Sequence, residues 1–138
     1  MSGMHIPLTT KIGAMHTPAT TEIRITDPST GGMKGSKLAR FDMIPPDVLW
    51  ELAEHCGRGE AKYPSAPDGR ANWQLGYNWR LSIAALQRHL KQFEMGEDID
   101  TETGSSHLIA IMWHAVTLRW FQKHNKGTDY RAIWKGEK

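Results

Sequence analysis

The chain has 138 residues, 39% of them hydrophobic, and carries 17 basic against 15 acidic side chains. That is one domain's worth of sequence, able to bury roughly two-thirds of its unfolded surface without staples. The net charge of +2 argues against a dedicated grip on a nucleic-acid polymer, and a single cysteine, Cys56, leaves no internal disulfide and argues against a cysteine zinc site. No apolar run approaches the roughly 20 residues that span a bilayer, and Met1 to Ile12 lack the apolar core of a signal peptide. The expected setting is the cytoplasm, with no membrane partner.

Residues 1–36 are rich in Thr, Gly, Pro, Met and Ser and show no helical period. Their first thirty residues are expected to form an extended, partly mobile arm, with a helical domain over 31–138. Within the arm, Glu22 to Thr26 alternates polar and apolar and fits a short strand. The first helix follows Ile44-Pro45-Pro46-Asp47, since proline is tolerated in a first turn. Val48, Leu49, Leu52, Ala53 and Cys56 form its apolar face, Glu51 and Glu54 share the opposite one, and Gly57 reads as its stop. Residues 57–78, punctuated by Pro64, Pro67, Gly69 and Gly76, read as a loop. A second helix runs from about Trp79 to Phe93 on a stripe of Ile83, Leu86, Leu90 and Phe93, and Gly96 ends it. The third, over residues 106–122 and capped by Ser105 or Ser106, is apolar on nearly all sides and reads as the centre of a bundle. Tyr130 to Trp134 form a short terminal helix. The expected fold is all-α, a bundle of three main helices behind the arm.

The most informative stretch for chemistry is Gly96-Glu97-Asp98-Ile99-Asp100-Thr101-Glu102-Thr103-Gly104, with four carboxylates in six positions between two helices. Two readings stand: a site for a hard cation such as Mg²⁺, or a solvated acidic turn. A calcium EF-hand fails, because from Asp98 the required glycine position holds Thr103 and the bidentate glutamate position holds Ile109. Glu51 and Glu54, one turn apart, can jointly hold a divalent metal, although such pairs are common on exposed helix faces. His89 flanks the buried stripe of the second helix. His107 and His114 share a face of the third but lie about 10 Å apart, too far for one metal to take both. His107, following the acidic loop, is a candidate site residue, and His114 reads as structural. Lys62, Tyr63, Arg70, Asn72 and Trp73 gather before the second helix, where cations can meet phosphate oxygens and an indole can stack on a base. The alternative is an ordinary loop with an anchoring tryptophan. Lys34-Gly35-Ser36-Lys37 is basic but lacks the spacing of a P-loop.

An ordered set of short segments resembles the phage dATP/dGTP diphosphohydrolase family, the MazZ-like enzymes, over about two-thirds of the chain. They are Gly31 to Lys37, Ala39 to Pro45, Ala61-Lys62-Tyr63, Asn72-Trp73 with Gly76, Arg88-His89-Leu90, and Gly96 to Asp100 with Glu102, Gly104, His107 and Leu108. The resemblance implies hydrolysis of a purine deoxynucleoside triphosphate, dGTP or dATP, to the monophosphate and pyrophosphate. In a phage that replaces adenine with 2-aminoadenine, the dGMP would feed synthesis of the modified base, in the host cytoplasm. Distant relatives, the MazG-like all-α nucleotide pyrophosphohydrolases, are oligomers that hold Mg²⁺ by carboxylates in an E-x-x-E and a later E-x-x-D. Here Glu51 and Glu54 supply the first element. The third helix carries His107-Leu108-Ile109-Ala110 instead of the second, and the matching spacing falls on Glu97 and Asp100.

On this resemblance the expected metal ligands are Glu51, Glu54, Glu97, Asp98, Asp100 and His107, for Mg²⁺ with Mn²⁺ able to substitute. Glu54, Glu97, Lys62 and Arg88 are the expected catalytic residues. Lys62, Arg70, Asn72, Trp73, Arg88 and His89 are expected to bind substrate, in a homodimer or homotetramer. The metal would orient or activate a water for attack at the α-phosphorus, while Lys62 and Arg88 stabilise phosphoryl charge. The rival readings are a non-catalytic phage accessory module docking through its six tryptophans and a nucleotide-binding regulator without turnover.

Overall fold

The computed structural model describes residues 22–136. The expected arm over 1–30 therefore lies outside the described residues up to position 21, and its remainder forms a strand and a turn. The chain divides into two compact units, Met1–Pro46 and Asp47–Lys138.

In the first unit β1 (Ile23–Thr26) and β2 (Met33–Ser36) pair antiparallel, Ile23 opposite Ser36 and Thr26 opposite Met33. Asp27 organises the turn between them: its Oδ1 accepts from the backbone N–H of Ser29 at 2.8 Å and of Thr30 at 3.2 Å. This hairpin corrects the all-α expectation to a mostly helical chain with a small sheet. The alternation of Glu22 to Thr26 signals β1. Met33-Lys34-Gly35-Ser36 has no such alternation, and only pairing with β1 makes it a strand.

The second unit holds α1 (Pro46–Lys62), α2 (Trp79–Glu94) and α3 (His107–His124), with one-turn 3₁₀ segments at Asn72–Leu75 and Tyr130–Ile133. The terminal helix expected at Tyr130 to Trp134 is the second of these segments. Helix α1 runs through Gly57 and Gly59, against the expected stop. A glycine costs about 1 kcal/mol in a helix interior, and the good formers Arg58, Glu60, Ala61 and Lys62 carry the helix past both. It ends where Tyr63 N–H closes on Gly59 O at 2.9 Å and Pro64 follows. Helix α2 starts on Asn78, whose side chain accepts from Arg80 N–H, and ends at Gly96 with φ +98°. Of the two serines offered as the cap of α3, Ser106 takes the role, accepting from Leu108 N–H at 3.2 Å. Asn125, left-handed at φ 55°, closes α3 after Lys123 and His124, cations suited to a helix C-terminus.

Helices α2 and α3 pack on one another. Trp79 of α2 and Ile109, Ala110 and Phe121 of α3 are the buried apolar residues among those described. Phe121 is fully buried. Tyr77 meets it edge-on at 5.0 Å between ring centroids, Trp73 lies at 6.1 Å and Trp120 at 6.2 Å. The segment after α3 is bound to the start of α2: Trp79 N–H donates to Thr128 O at 3.0 Å, and Trp79 Nε1 donates to Lys126 O at 2.9 Å. That seam brings Gly76 and Gly127 backbone to backbone, both at positive φ. A Cβ on Gly127 would run into the Tyr77 carbonyl oxygen. Gly127→Ala is therefore expected to cost about 1–3 kcal/mol from the forced φ alone, with the backbone clash in addition. A melting temperature equal to the parent's would show that the seam gives way freely.

Candidate active site

Two polar residues a double turn apart on α2, Ser82 and His89, face two on α3, His107 and His114. The helices are antiparallel, so Ser82 meets His114 and His89 meets His107. His114 Nδ1 lies 3.0 Å from Ser82 Oγ, which is also 2.6 Å from Tyr77 Oη. His89 Nδ1 lies 2.8 Å from His107 Nδ1, and His107 Nε2 lies 2.7 Å from Glu97 Oε1. His107 is fully buried and His89 is 5% exposed. Polar rings at such depth are costly unless hydrogen-bonded, and here each has a partner. His89 also bridges the gap between the other two histidines, its ring 5.1 Å from His107 and 6.0 Å from His114.

The acidic loop that delivers Glu97 is a built turn. Ile99 and Ser106 form an isolated bridge. Asp100 N–H donates to Ser105 O at 2.8 Å, Gly104 N–H to Asp100 O at 2.7 Å, and His107 N–H to Asp98 O at 3.0 Å. The buried Asp100 carboxylate accepts from Glu102 N–H and from the Thr103 hydroxyl, each at 3.0 Å. Burial pushes this carboxyl up, but those hydrogen bonds and the nearby His89 and His107 outweigh it, and it sits below its ordinary value.

Helix α1 closes the cluster through Ser105. The Ser105 hydroxyl oxygen accepts from Arg58 Nη1 at 3.1 Å and shares a 2.7 Å hydrogen bond with His55 Nδ1. The His55 ring stands edge-on to Trp113 at 5.8 Å. Burial is the main cause holding three of these imidazoles down: His55, His89 and most strongly His114, which is lowered to about 4. They are neutral at pH 7, able to accept protons.

The structure thus brings His89, Glu97 and His107 into one hydrogen-bonded chain, with Asp100 close enough to act electrostatically on His89. Arg88 acts on His89 and His114 from the exposed side of α2. Lys62 reaches Glu102 at 3.7 Å and lies over the Tyr63 ring. Glu51 and Glu54 are exposed on α1 and Asp98 in the loop. Arg70 pairs locally with Asp68 at 2.7 Å, and Asn72 is exposed at the start of its 3₁₀ turn. Trp73 is half-buried and directs its ring to Trp113, Trp120 and Phe121. Among the described residues no three His, Cys, Asp or Glu side chains gather as a metal-binding group. Glu97 Oε1 is bonded to His107, and the Asp100 carboxylate braces its own loop. Sequence reasoning missed His55, Arg58, Ser82 and Ser105. The available signal was the seven-residue spacing of Ser82 and His89 matched by that of His107 and His114.

The profile of the family described as dATP/dGTP diphosphohydrolase, N-terminal, matches residues 28–131. A dATP/dGTP diphosphohydrolase of Salmonella phage PMBT28 is 31% identical over 93 residues, which cover 67% of this chain and 30% of that relative. The chain therefore spans less than a third of the relative's length. No solved structure matches. No helix among the described residues is long and apolar enough to cross a membrane.

Proposed function

The chain belongs to the dATP/dGTP diphosphohydrolase family, and from that premise we propose that it hydrolyses purine deoxynucleoside triphosphates to the monophosphate and pyrophosphate. The observation that carries this reading is the Glu97–His107–His89 chain, with both imidazoles buried and Glu97 partly exposed. An apolar pair would serve the packing of α2 on α3 at least as well. Histidines linked to a carboxylate beside exposed cations are what water activation at a phosphate needs.

In this reading a water attacks the α-phosphorus, and the electron pair of the broken bond leaves with pyrophosphate. Arg88 and Lys62 meet the phosphate oxygens, and Arg58 joins them from α1. Arg70 and Asn72 contact the nucleotide from the loop before α2, which Trp73 anchors. Mg²⁺ bound to the triphosphate would neutralise part of its charge. The dGMP product would feed 2-aminoadenine synthesis, the role the family resemblance carries.

The test is ³¹P NMR of the purified chain with dGTP, dATP, dCTP, dTTP and ATP in turn, with Mg²⁺ and in ¹⁸O-water. Deoxypurine substrates are expected to give pyrophosphate and a monophosphate carrying the label. Release of inorganic phosphate and a diphosphate would overturn the reaction type. Tight dGTP binding without turnover would select the regulator instead.

The proposal includes a homo-oligomer. Leu81, Leu90 and Phe93 on α2 and Leu49 and Trp50 on α1 remain exposed, Trp50 by 73%, and a second copy would cover them. Sedimentation is expected to show a dimer or tetramer. A 15.6 kDa species alone at micromolar concentration would remove this part.

A further inference from the structure

At the end of the α2–α3 pair remote from the acidic loop, cations outnumber acids. From Arg119 to Lys135 the chain carries Arg119, Lys123, Lys126, Arg131 and Lys135 against a single acid, Asp129. Asp129 pairs with Arg131 at 2.8 Å and with Lys135 at 3.7 Å. Arg80 of α2 lies over the Tyr130 ring, 4.8 Å from its centroid, and Arg119 donates to the neutral amide of Gln122 at 2.7 Å. Neither Arg80 nor Arg119 has a carboxylate partner among the described residues. Both guanidiniums stay charged at any working pH.

This end of the unit holds a cleft of about 200 Å³. Ile83 of α2 and Leu118 of α3 give it apolar lining, and Trp79 and Tyr130 give it rings. Arg119 and Gln122 supply polar lining from α3. The cleft is separate from the histidine chain. Trp113 and Trp120, seven residues apart, share the side of α3 that meets His55 and Trp73. At 3.6 residues per turn, Leu118 and Gln122 fall on the opposite side. Along the helices the cleft sits level with Trp79 and Gln122, whereas His89 and His107 meet at the acidic-loop end.

Its chemistry selects a ligand class. The volume is below the roughly 300 Å³ of the smallest drug-sized pockets, so it takes one ring system and leaves the rest of a ligand outside. Gln122 Oε1 accepts from Arg119, which leaves the amide N–H groups for an acceptor on a ring edge. Arg80 and Arg119 are exposed beside it and suited to phosphate oxygens. We propose that this cleft is a second nucleotide site, which takes one base against Ile83, Leu118 and the flanking rings and holds its phosphate on Arg80 and Arg119. The proposal stands independently of the hydrolase reading, because none of these residues belongs to the candidate active site.

The test is a titration of the full chain, labelled with ¹⁵N at its tryptophan indoles. Trp79 Nε1–H donates to Lys126 O beside the cleft, while Trp73 and Trp113 report the other side of α3. Added dGMP is expected to shift the Trp79 resonance saturably. Inorganic pyrophosphate, which has no ring, should need about tenfold more to do so. Arg80→Glu combined with Arg119→Glu should weaken dGMP by about tenfold or more through lost charge-assisted bonds, at an unchanged melting temperature. Leu118→Trp places a ring in the cleft and should abolish the response. A short oligodeoxythymidine that binds more tightly than dGMP at the same resonance would identify a strand as the source of the base, and weaker binding would identify the free nucleotide. Either result keeps a phosphorylated base in the cleft. A Trp79 resonance unmoved at millimolar dGMP would overturn the proposal, as would shifts of Trp73 and Trp113 alone. Pyrophosphate as effective as dGMP would overturn it in favour of a simple anion patch. Loss of dGTP turnover in the double charge variant would make the cleft the substrate site and overturn its being a second one. Binding at Trp79 without turnover of any nucleotide would sink the hydrolase reading and leave this site standing.

Discussion

Phe121→Ala is expected to lower the folding free energy by about 3–5 kcal/mol, the range for truncating a buried phenylalanine. Phe121 is fully buried at the last apolar turn of α3, ringed by Trp73, Tyr77 and Trp120. Its removal opens a space among rigid rings that cannot collapse to fill it. The same ring anchors the 3₁₀ turn through Trp73, and through Tyr77 the pair Tyr77–Ser82 that fixes His114. Loss of stability and loss of site geometry are therefore coupled. Urea denaturation followed by tryptophan fluorescence measures the first. A midpoint within error of the parent's would mean that the aromatic cluster repacks and is not the anchor of α3.

Much of the helical unit was legible because its signals are local. The stripe of Ile83, Leu86, Leu90 and Phe93 and the apolar run of α3 announce two helices, and Ser106 and Gly96 mark their borders. The limits of α1 were not legible. Glycine at 57 is a stop only if the next residues gain nothing from the helix, and here Arg58 gains a bond to Ser105, 47 residues away. The hairpin was half legible for the same reason, since β2 exists only through its partner.

The site divides along the same line. His89, Glu97 and His107 stand out as residue types near one another in sequence, but their joint role depends on α2 and α3 running antiparallel. Only then does the spacing from Ser82 to His89 fall in step with that from His114 back to His107. The acidic loop offered two readings, metal site or solvated turn, and the structure gives a third arrangement. Asp100 braces the turn from inside, while Glu97 reaches the buried end of α3. Carboxylates crowded in sequence need not converge in space, because a turn sends neighbouring side chains in different directions.

Buried neutral histidines make the fold sensitive to acid. Burial holds the His114 imidazole down to about 4 from an ordinary 6.5, with the nearby His89, His55 and Arg88 adding to the effect. An unfolded chain takes up a proton at this residue as pH falls through 6.5, whereas the folded chain resists until about 4. Between those values the unfolded state binds more protons, so stability is complete above pH 6.5 and declines as pH drops toward 4. Partly exposed as it is, His114 contributes about 2–3 kcal/mol of that decline after allowance for solvent screening. His55 and His89, lowered by burial, act with the same sign, and Asp100 extends the loss below the range of an ordinary carboxyl. The expected result is a urea midpoint that is level from pH 8 to 7 and falls steeply by pH 4.5. His114→Gln, whose side-chain amide can still meet the Ser82 hydroxyl but does not titrate, should flatten part of that slope while lowering the plateau. A midpoint unchanged between pH 7 and 4.5 would mean that these rings accept protons in the folded state as readily as in water, and the buried cluster would not exist as described.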